Sequence, residues 1–335
     1  MGRLHLAGLG GIIGRRLLDV RLAAISGLHH ARGRQLARQH GCRYEAAPEG
    51  IFDDPDIQAI IIATPTATHL DLVRRAIRAD KAIFMEKPLG RNLAEARAIA
   101  RLLRRHRRPH QVGLVLRFSP TYNVLKRLIA QPSNGEFRFC RFRDDQFFPV
   151  GSVYDSDWRA DVGQAGGGTL LEHSIHDVDV LRWFFGDARV TDAMIEPSAF
   201  PGIERSAALN LRFKAGGEGQ LASLWHDNRA RPNERHIEIF FERRFFQTDG
   251  GYTSPIIVED RRGTRRLEPE AIRARHRAMI GWRQAESADF PATVGYELYV
   301  FLKAVLAGRR GAVSAEEALA AHRIIESAYR MGKRR

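Results

Sequence analysis

The chain is poor in cysteine. Cys42 and Cys140 stand alone among 335 residues, far apart and without ligand-like spacing. That excludes a disulfide framework and a cysteine-based zinc module. Long apolar runs are absent too: no stretch approaches the roughly 18 residues that a membrane helix needs. Repeats and low-complexity tracts are missing, and the chain enters an apolar run at Leu4 without a signal-peptide pattern. These absences predict a cytoplasmic, globular chain with no membrane partner. Lysine is scarce: 47 of the 53 basic residues are arginine, spread along the whole length, and the net charge is +14. No finger, RNA-binding sheet signature or basic arm accompanies them. We therefore read the excess as composition, with no nucleic-acid partner and a positive field that favours anionic ligands.

What is present suits two domains of ordinary size, with 44% apolar residues. Up to about residue 112, short apolar runs (4–9, 22–26, 57–64, 82–85, 111–116) alternate with helical patterns (31–40, 68–80, 93–106). That alternation predicts a doubly wound parallel α/β sheet. Asn92 and Glu95 have capping-box spacing and start the helix over 93–106. From about residue 120 the texture changes. A helix is expected at 121–130. Strand-like runs follow at 136–148, 190–196, 206–214, 218–226, 236–242 and 244–249, with apolar and polar residues alternating in several. This predicts an α+β domain with a large, mostly antiparallel open sheet. Helices are expected at 169–185 and 294–307, and a last one from the capping box at Ser314–Glu317. Residues 258–280, rich in Arg and Glu, read as a loop. The domains are expected at 1–118 and 119–335, with the last helix packing back on the first.

Three stretches carry candidate chemistry. In "IIIATPTATHLDL" (60–72) an apolar strand ends at Thr64-Pro65, and strand carboxyl ends are where open α/β sheets bind ligands. In "AIFMEKPLG" (82–90) a strand ends in Glu86-Lys87, before a proline that restricts the lysine's backbone. A lysine there can stabilise negative charge developing on a substrate oxygen. In "AGGGTLLEHSIHDVDVLRWFFG" (165–186), Glu172 and His176 are four apart, and so are His173 and Asp177. Either pair offers a histidine beside a carboxylate, suited to acid–base work. Spacing does not choose between them. A metal reading of Glu172, His173 and His176 matches no zinc spacing, and no metal is expected.

Gly8-Leu-Gly10, "ATPTATH" (63–69), "EKP" (86–88), "LRFSP" (116–120), "GGGTLLEHSIHDVD" (166–179) and "AVSAEEALAAHRIIESAYR" (312–330) occur in order over nearly the whole length. Together they resemble the glucose–fructose oxidoreductase / inositol dehydrogenase (Gfo/Idh/MocA) family. The resemblance implies a Rossmann domain, an open-sheet domain, and NAD(P)-dependent oxidation or reduction of a sugar, cyclitol or related polyol. It implies Lys87 on the reacting oxygen, His176 as proton acceptor and Glu172 where many members have Asp. It places Gly8, Gly10, Gly11, Ser26, Gly27, Arg32, Thr64, Pro65, His69, Glu86 and Lys87 at the cofactor, and Arg117, Trp158 and Arg159 near the substrate. It also implies a homodimer or homotetramer formed through the outer sheet face, where Phe240, Phe241, Phe245 and Phe246 are candidates for either interface or core.

Two departures stand out. The glycines read G-x-G-x-x-x-G, one residue late, and the helix after them has almost no room before the strand at 22–26. No acidic residue lies between Val20 and Tyr44, where one would bind a ribose 2′-hydroxyl and select NAD. Ser26-Gly27 followed by His29, His30, Arg32 and Arg34 favours NADP over NAD. The shortened first unit leaves a second reading open: a dinucleotide-binding sensor or regulator without turnover.

Overall fold

The computed structural model describes residues 1–151, 156–228, 230–249, 252, 254–280 and 290–332. The chain runs α1 (Gly2–Gly14), β1 (Ala24–Ser26), α2 (His30–His40), β2 (Arg43–Glu45), α3 (Glu49–Phe52), β3 (Ala59–Ile62), α4 (His69–Arg78), β4 (Ala82–Glu86), α5 (Leu93–Arg105) and β5 (His110–Gly113). It continues through α6 (Pro120–Ile129), β6 (Phe137–Phe147), α7 (Val162–Ala165) and α8 (Ile175–Phe185). Then come β7 (Ala188–Pro197), β8 (Glu204–Phe213), β9 (Glu218–His226), β10 (Glu234–Phe241), β11 (Phe245–Asp249), β12 (Ile256–Asp260) and β13 (Gly263–Leu267). Three helices close the chain: α9 (Pro269–Ile280), α10 (Phe290–Leu306) and α11 (Ala315–Gly332).

The first half is Rossmann-like, with parallel strands between helices, but it forms two sheets. β1 pairs with β2, and β3, β4 and β5 form a separate three-stranded sheet. The opening segment corrects the sequence reading: residues 4–9 are helical, not a strand. His5, Leu9 and Ile12 are the buried residues of α1, four and three apart, so the helical period prevails over the short apolar run. Gly8 marks the close crossing of α1 and α10, where a Cβ would meet Gly295 Cα at 3.0 Å. Asn92 caps α5 by accepting from the Glu95 N–H at 3.0 Å, as its spacing predicts.

The second half is an eight-stranded sheet in the order β13-β12-β11-β10-β6-β9-β8-β7, antiparallel except for β6 beside β9. Leu209, Leu211 and Phe213 of β8 alternate with exposed residues and join Val178 and Leu181 of α8 in one core. Residues 258–280, expected as a loop, instead form most of the β12–β13 hairpin and α9. The phenylalanine question divides. Phe246 is buried in the core, while Phe240 is 40% exposed and packs with Phe139 and Phe245 on the other face. α11 starts at Ser314, whose hydroxyl and N–H both meet the Glu317 carboxylate. Val313, Ala318 and Leu319 then pack into the core of the first parallel region.

Candidate active site

The carboxyl end of β4 supplies the first two groups. All five residues of β4 are buried, so the strand delivers Glu86 and Lys87 in a fixed direction. Lys87 Nζ donates to the Glu172 carbonyl oxygen at 2.6 Å and to its carboxylate at 3.4 Å. Arg159 Nη2 lies 2.8 Å from the same Glu172 oxygen and stacks on Trp158, its charge 4.6 Å from the ring centroid. Burial pushes the Glu172 carboxyl up, but Arg159 and then Lys87 outweigh it and hold the group at about 2. Glu172 is therefore an ionised anchor for two cations.

Residues 169–185 do not form one continuous helix. Thr169–His173 is a π-helical turn, Ser174 breaks it, and α8 begins at Ile175. The glycines before it allow a close backbone crossing: a Cβ on Gly168 would meet the Glu204 carbonyl oxygen at 2.0 Å. The Glu204 carboxylate accepts from the Gly168 N–H at 2.7 Å, the Leu170 N–H at 2.9 Å and the Tyr329 hydroxyl at 2.8 Å. Glu204 and Tyr329 thus pin the turn that carries Glu172.

His176 is buried, and its Nδ1 makes no hydrogen bond. Burial, reinforced by Lys87 and Arg235, holds its imidazole well below the usual histidine range. A neutral ring at pH 7 can accept a proton. The rival pair has other work. His173 Nε2 lies 3.2 Å from Asp144, and Arg235 bridges Asp144 and Asp177 at 3.0 Å each. Burial and the neighbouring Asp144 raise the Asp177 carboxyl well above its ordinary value. This cluster ties α8 to β6 and β10. The sequence reading missed Asp144, Arg235 and Glu204. The visible signal was the Asp144-Asp145 pair, which interrupts the alternation of β6 with three consecutive buried positions.

Five expectations require correction. Gly8, Gly10 and Gly11 lie inside α1, so they form no phosphate-binding turn. His69 is fully buried, with Nδ1 2.9 Å from the Pro88 carbonyl oxygen and Nε2 3.1 Å from that of Thr64. Both ring nitrogens face protein, so it braces two strand ends. Glu86 is buried against α1, 2.6 Å from His5 Nε2. That contact withdraws it from an open ribose site. Arg117 makes a two-pronged pair with Asp179, at 2.7 Å for both bonds, and also pairs with Glu317 and lies over Trp183. It joins α8 to α11, with all three of its nitrogens bonded to protein carboxylates. Finally, the helix expected over 169–185 is broken at Ser174, so Glu172 and His176 are not successive turns of one α-helix.

Ser26, Gly27, Arg32 and Thr64 line one cavity of about 1420 Å³ that runs the length of β1 and β3. Pro65 follows Thr64 and leads into a 3-10 turn. Glu45, the register partner of Ser26, turns toward Arg43 and Gly50 and is not among the cavity's lining residues. The first turn of α1 contributes Gly2 and Arg3 to the cavity wall, and a helix start leaves N–H groups free for an anion. These residues therefore suit a dinucleotide's phosphate and ribose chemistry, without the glycine turn expected at 8–11. Among the described residues, no group of three or more His, Cys, Asp or Glu side chains could hold a metal ion. No helix among them is long and apolar enough to cross a membrane.

Comparison with known proteins places these features. Residues 7–114 match an oxidoreductase family with an NAD-binding Rossmann fold, and residues 122–246 match the GFO/IDH/MocA C-terminal domain. An uncharacterized oxidoreductase, YrbE, of Bacillus subtilis is 30% identical over 224 residues, 64% of this chain and 62% of that protein. The scyllo-inositol 2-dehydrogenase (NAD(+)) of the same organism is 34% identical over 157 residues, 46% of this chain and 43% of that protein. The chain thus spans less than two thirds of the length of these curated relatives. Levoglucosan dehydrogenase in complex with NADH and levoglucosan has the same fold: TM-score 0.87, 20% identity, 100% of this chain and 94% of that one. The chain is a member of the Gfo/Idh/MocA family of oxidoreductases.

Proposed function

We propose that the chain is an NAD(P)-dependent oxidoreductase that interconverts a secondary alcohol and a ketone on a sugar, cyclitol or related polyol. The observation that carries this reading is the juxtaposition of Lys87, ionised Glu172 and neutral His176 at the end of β4 and the start of α8. A bound nicotinamide dinucleotide supplies the hydride acceptor or donor. In the oxidation direction, His176 takes the hydroxyl proton. With Nδ1 buried, Nε2 is the nitrogen left to receive it, and Nδ1 carries the ring hydrogen. Lys87 has three N–H donors; contacts to the Glu172 carbonyl and carboxylate leave one for the substrate oxygen as negative charge grows on it. Glu172 and Arg159 fix that ammonium in place.

Ser26, Gly27 and Arg32 are the residues that would hold the adenosine ribose, with the guanidinium suited to a 2′-phosphate. That favours NADP over NAD. Thr64 and Pro65 would lie along the cofactor, and Trp158 and Arg159 beside the substrate. We place the domain boundary at 118/119, between the 3-10 turn after β5 and α6. We read the chain as a homodimer or homotetramer through the sheet face that bears Phe139, Phe240 and Phe245. Light scattering on the purified protein tests that, and a monomer at micromolar concentration contradicts it. Fluorescence titration with NADPH and NADH, followed by a turnover screen with cyclitols and sugars, tests the reading as a whole. Tight binding with no turnover of any polyol or its ketone would favour the second reading, a sensor, which draws on the helical placement of Gly8, Gly10 and Gly11. No binding of either cofactor would overturn both.

A further inference from the structure

Beside the turn that carries Glu172 lies a second cavity, of about 410 Å³, at the small end of the roughly 300–1,000 Å³ of ligand pockets. It sits where the start of α5 meets the end of β7, the start of β8 and α11. It shares no lining residue with the cavity along β1 and β3, and Lys87, Arg159, Glu172 and His176 are not among its lining residues. Its wall is apolar at Leu93, Leu171, Ile203 and Ile325, each of them buried. Asn92 and Arg330, both exposed, mark its mouth, and His322, only 2% exposed, lies at its closed end.

The polar groups left available decide the chemistry. Two carboxylates line the cavity, and both are engaged. Glu204 accepts from the Gly168 and Leu170 N–H groups and from Tyr329, and Glu326 accepts from Arg330 Nε at 2.8 Å. The donors are not used up. His322 Nε2 accepts the Leu89 N–H at 3.0 Å, so the ring hydrogen sits on Nδ1, which has no bond of its own among the described residues. Arg330 uses only Nε among those residues, which leaves both terminal nitrogens of its guanidinium. The two side chains stand eight positions apart on α11, about 12 Å along the helix axis, with Ile325 between them.

We propose that this cavity is a second ligand site, for a small carboxylate with an apolar body and an acceptor oxygen at its far end. The carboxylate meets Arg330, whose two free nitrogens suit a planar anion. The far oxygen, a carbonyl or an ether, meets the Nδ1–H of His322, a buried donor that is costly to leave unpaired. The body covers Ile203, Ile325 and Leu171. Leu171 is the chain neighbour of Glu172, and Glu204 and Tyr329 belong both to this wall and to the bracing of that turn. An occupant therefore rests on the turn from the side away from Lys87. The inference does not depend on the oxidoreductase reading, because binding is read without turnover.

The test titrates the full chain with 4-acetylbenzoate by calorimetry. A Kd of about 1 mM or tighter is expected for a ligand of this size. 4-Isopropylbenzoate keeps the charge and the shape but lacks the far oxygen, and should bind about fivefold more weakly. 4-(Hydroxymethyl)acetophenone keeps that oxygen and lacks the charge, and should bind about tenfold more weakly. Arg330→Gln should weaken the acid about tenfold. Val162→Trp, which fills the cavity from an exposed position on α7, should abolish its binding. Amide exchange at Gly168 and Leu170 should slow with the acid bound, and exchange at Ala59–Ile62, in the larger cavity, should not. The proposal is overturned if 4-acetylbenzoate shows no saturable binding in that range, or if the three compounds bind alike. It is equally overturned if neither variant weakens the acid, or if the protection falls on Ala59–Ile62 instead.

Discussion

The proposed catalytic and cofactor walls are built differently. On the proposed catalytic wall, Lys87 and Arg159 hold Glu172, and Glu204 with Tyr329 holds the backbone of the turn that carries it. On the proposed cofactor wall, β1 and β2 have three residues each, pair only with each other among the described residues, and border a large cavity. Pairs of short strands are marginal without further packing. Position is thus secured by hydrogen bonding where the proposed proton transfer takes place. On the other wall it rests on two short strands.

That contrast can be broken most sharply at Lys87. Lys87→Met removes the donor to the reacting oxygen, and kcat/KM for polyol oxidation should fall about 10³-fold while cofactor affinity changes little. An equal loss of cofactor affinity would place Lys87 on the other wall. Acid stability comes next. His322, which accepts the Leu89 N–H at 3.0 Å, is buried, and burial depresses its imidazole to about 3. The unfolded chain binds that proton first. The contribution is therefore complete above the ordinary value of 6.5 and is lost as pH falls from there toward 3. Between pH 6.5 and 4 the loss amounts to about 3 kcal/mol. Urea unfolding at both pH values should show it, and His322→Gln should flatten the difference.

Glu204→Gln is expected to cost about 2 kcal/mol, because a carboxylate that accepts three bonds cannot be replaced by an amide with one acceptor oxygen. Thermal unfolding reads the loss. A lower kcat with KM nearly unchanged would distinguish positioning of the Glu172 turn from general destabilisation. The smallest effect is expected on the open wall. Arg32→Ala should weaken NADPH about tenfold and leave NADH within twofold, and parallel loss for both would remove the 2′-phosphate assignment.

The sequence revealed most where its period was unambiguous. β8 and β9 alternate over nine or ten residues, and α5 and α11 carry capping boxes, so their bounds were legible. The strand reading of 4–9 failed because a six-residue run is too short to separate the two periods, and the contact that decides, Gly8 against Gly295, lies 287 positions away. The family was legible as an ordered group of motifs, which carry the proposed catalytic set. Its division of labour was not: whether a histidine or arginine faces a ligand or a protein partner depends on distant residues. His69 meets Pro88, Arg117 meets Asp179 and Glu317, and Arg235 takes up the pair at 173 and 177.

The central claim is that His176 moves the proton. The direct measurement is the pH profile of kcat/KM for polyol oxidation in the wild type and in His176→Asn, with cofactor affinity measured alongside. The account predicts a wild-type acid limb below pH 6.5, because burial and neighbouring cations hold the imidazole neutral. It also predicts a loss of about 10²-fold or more in His176→Asn, with that limb abolished and cofactor affinity retained. A variant that keeps the wild-type rate and the same acid limb would contradict it.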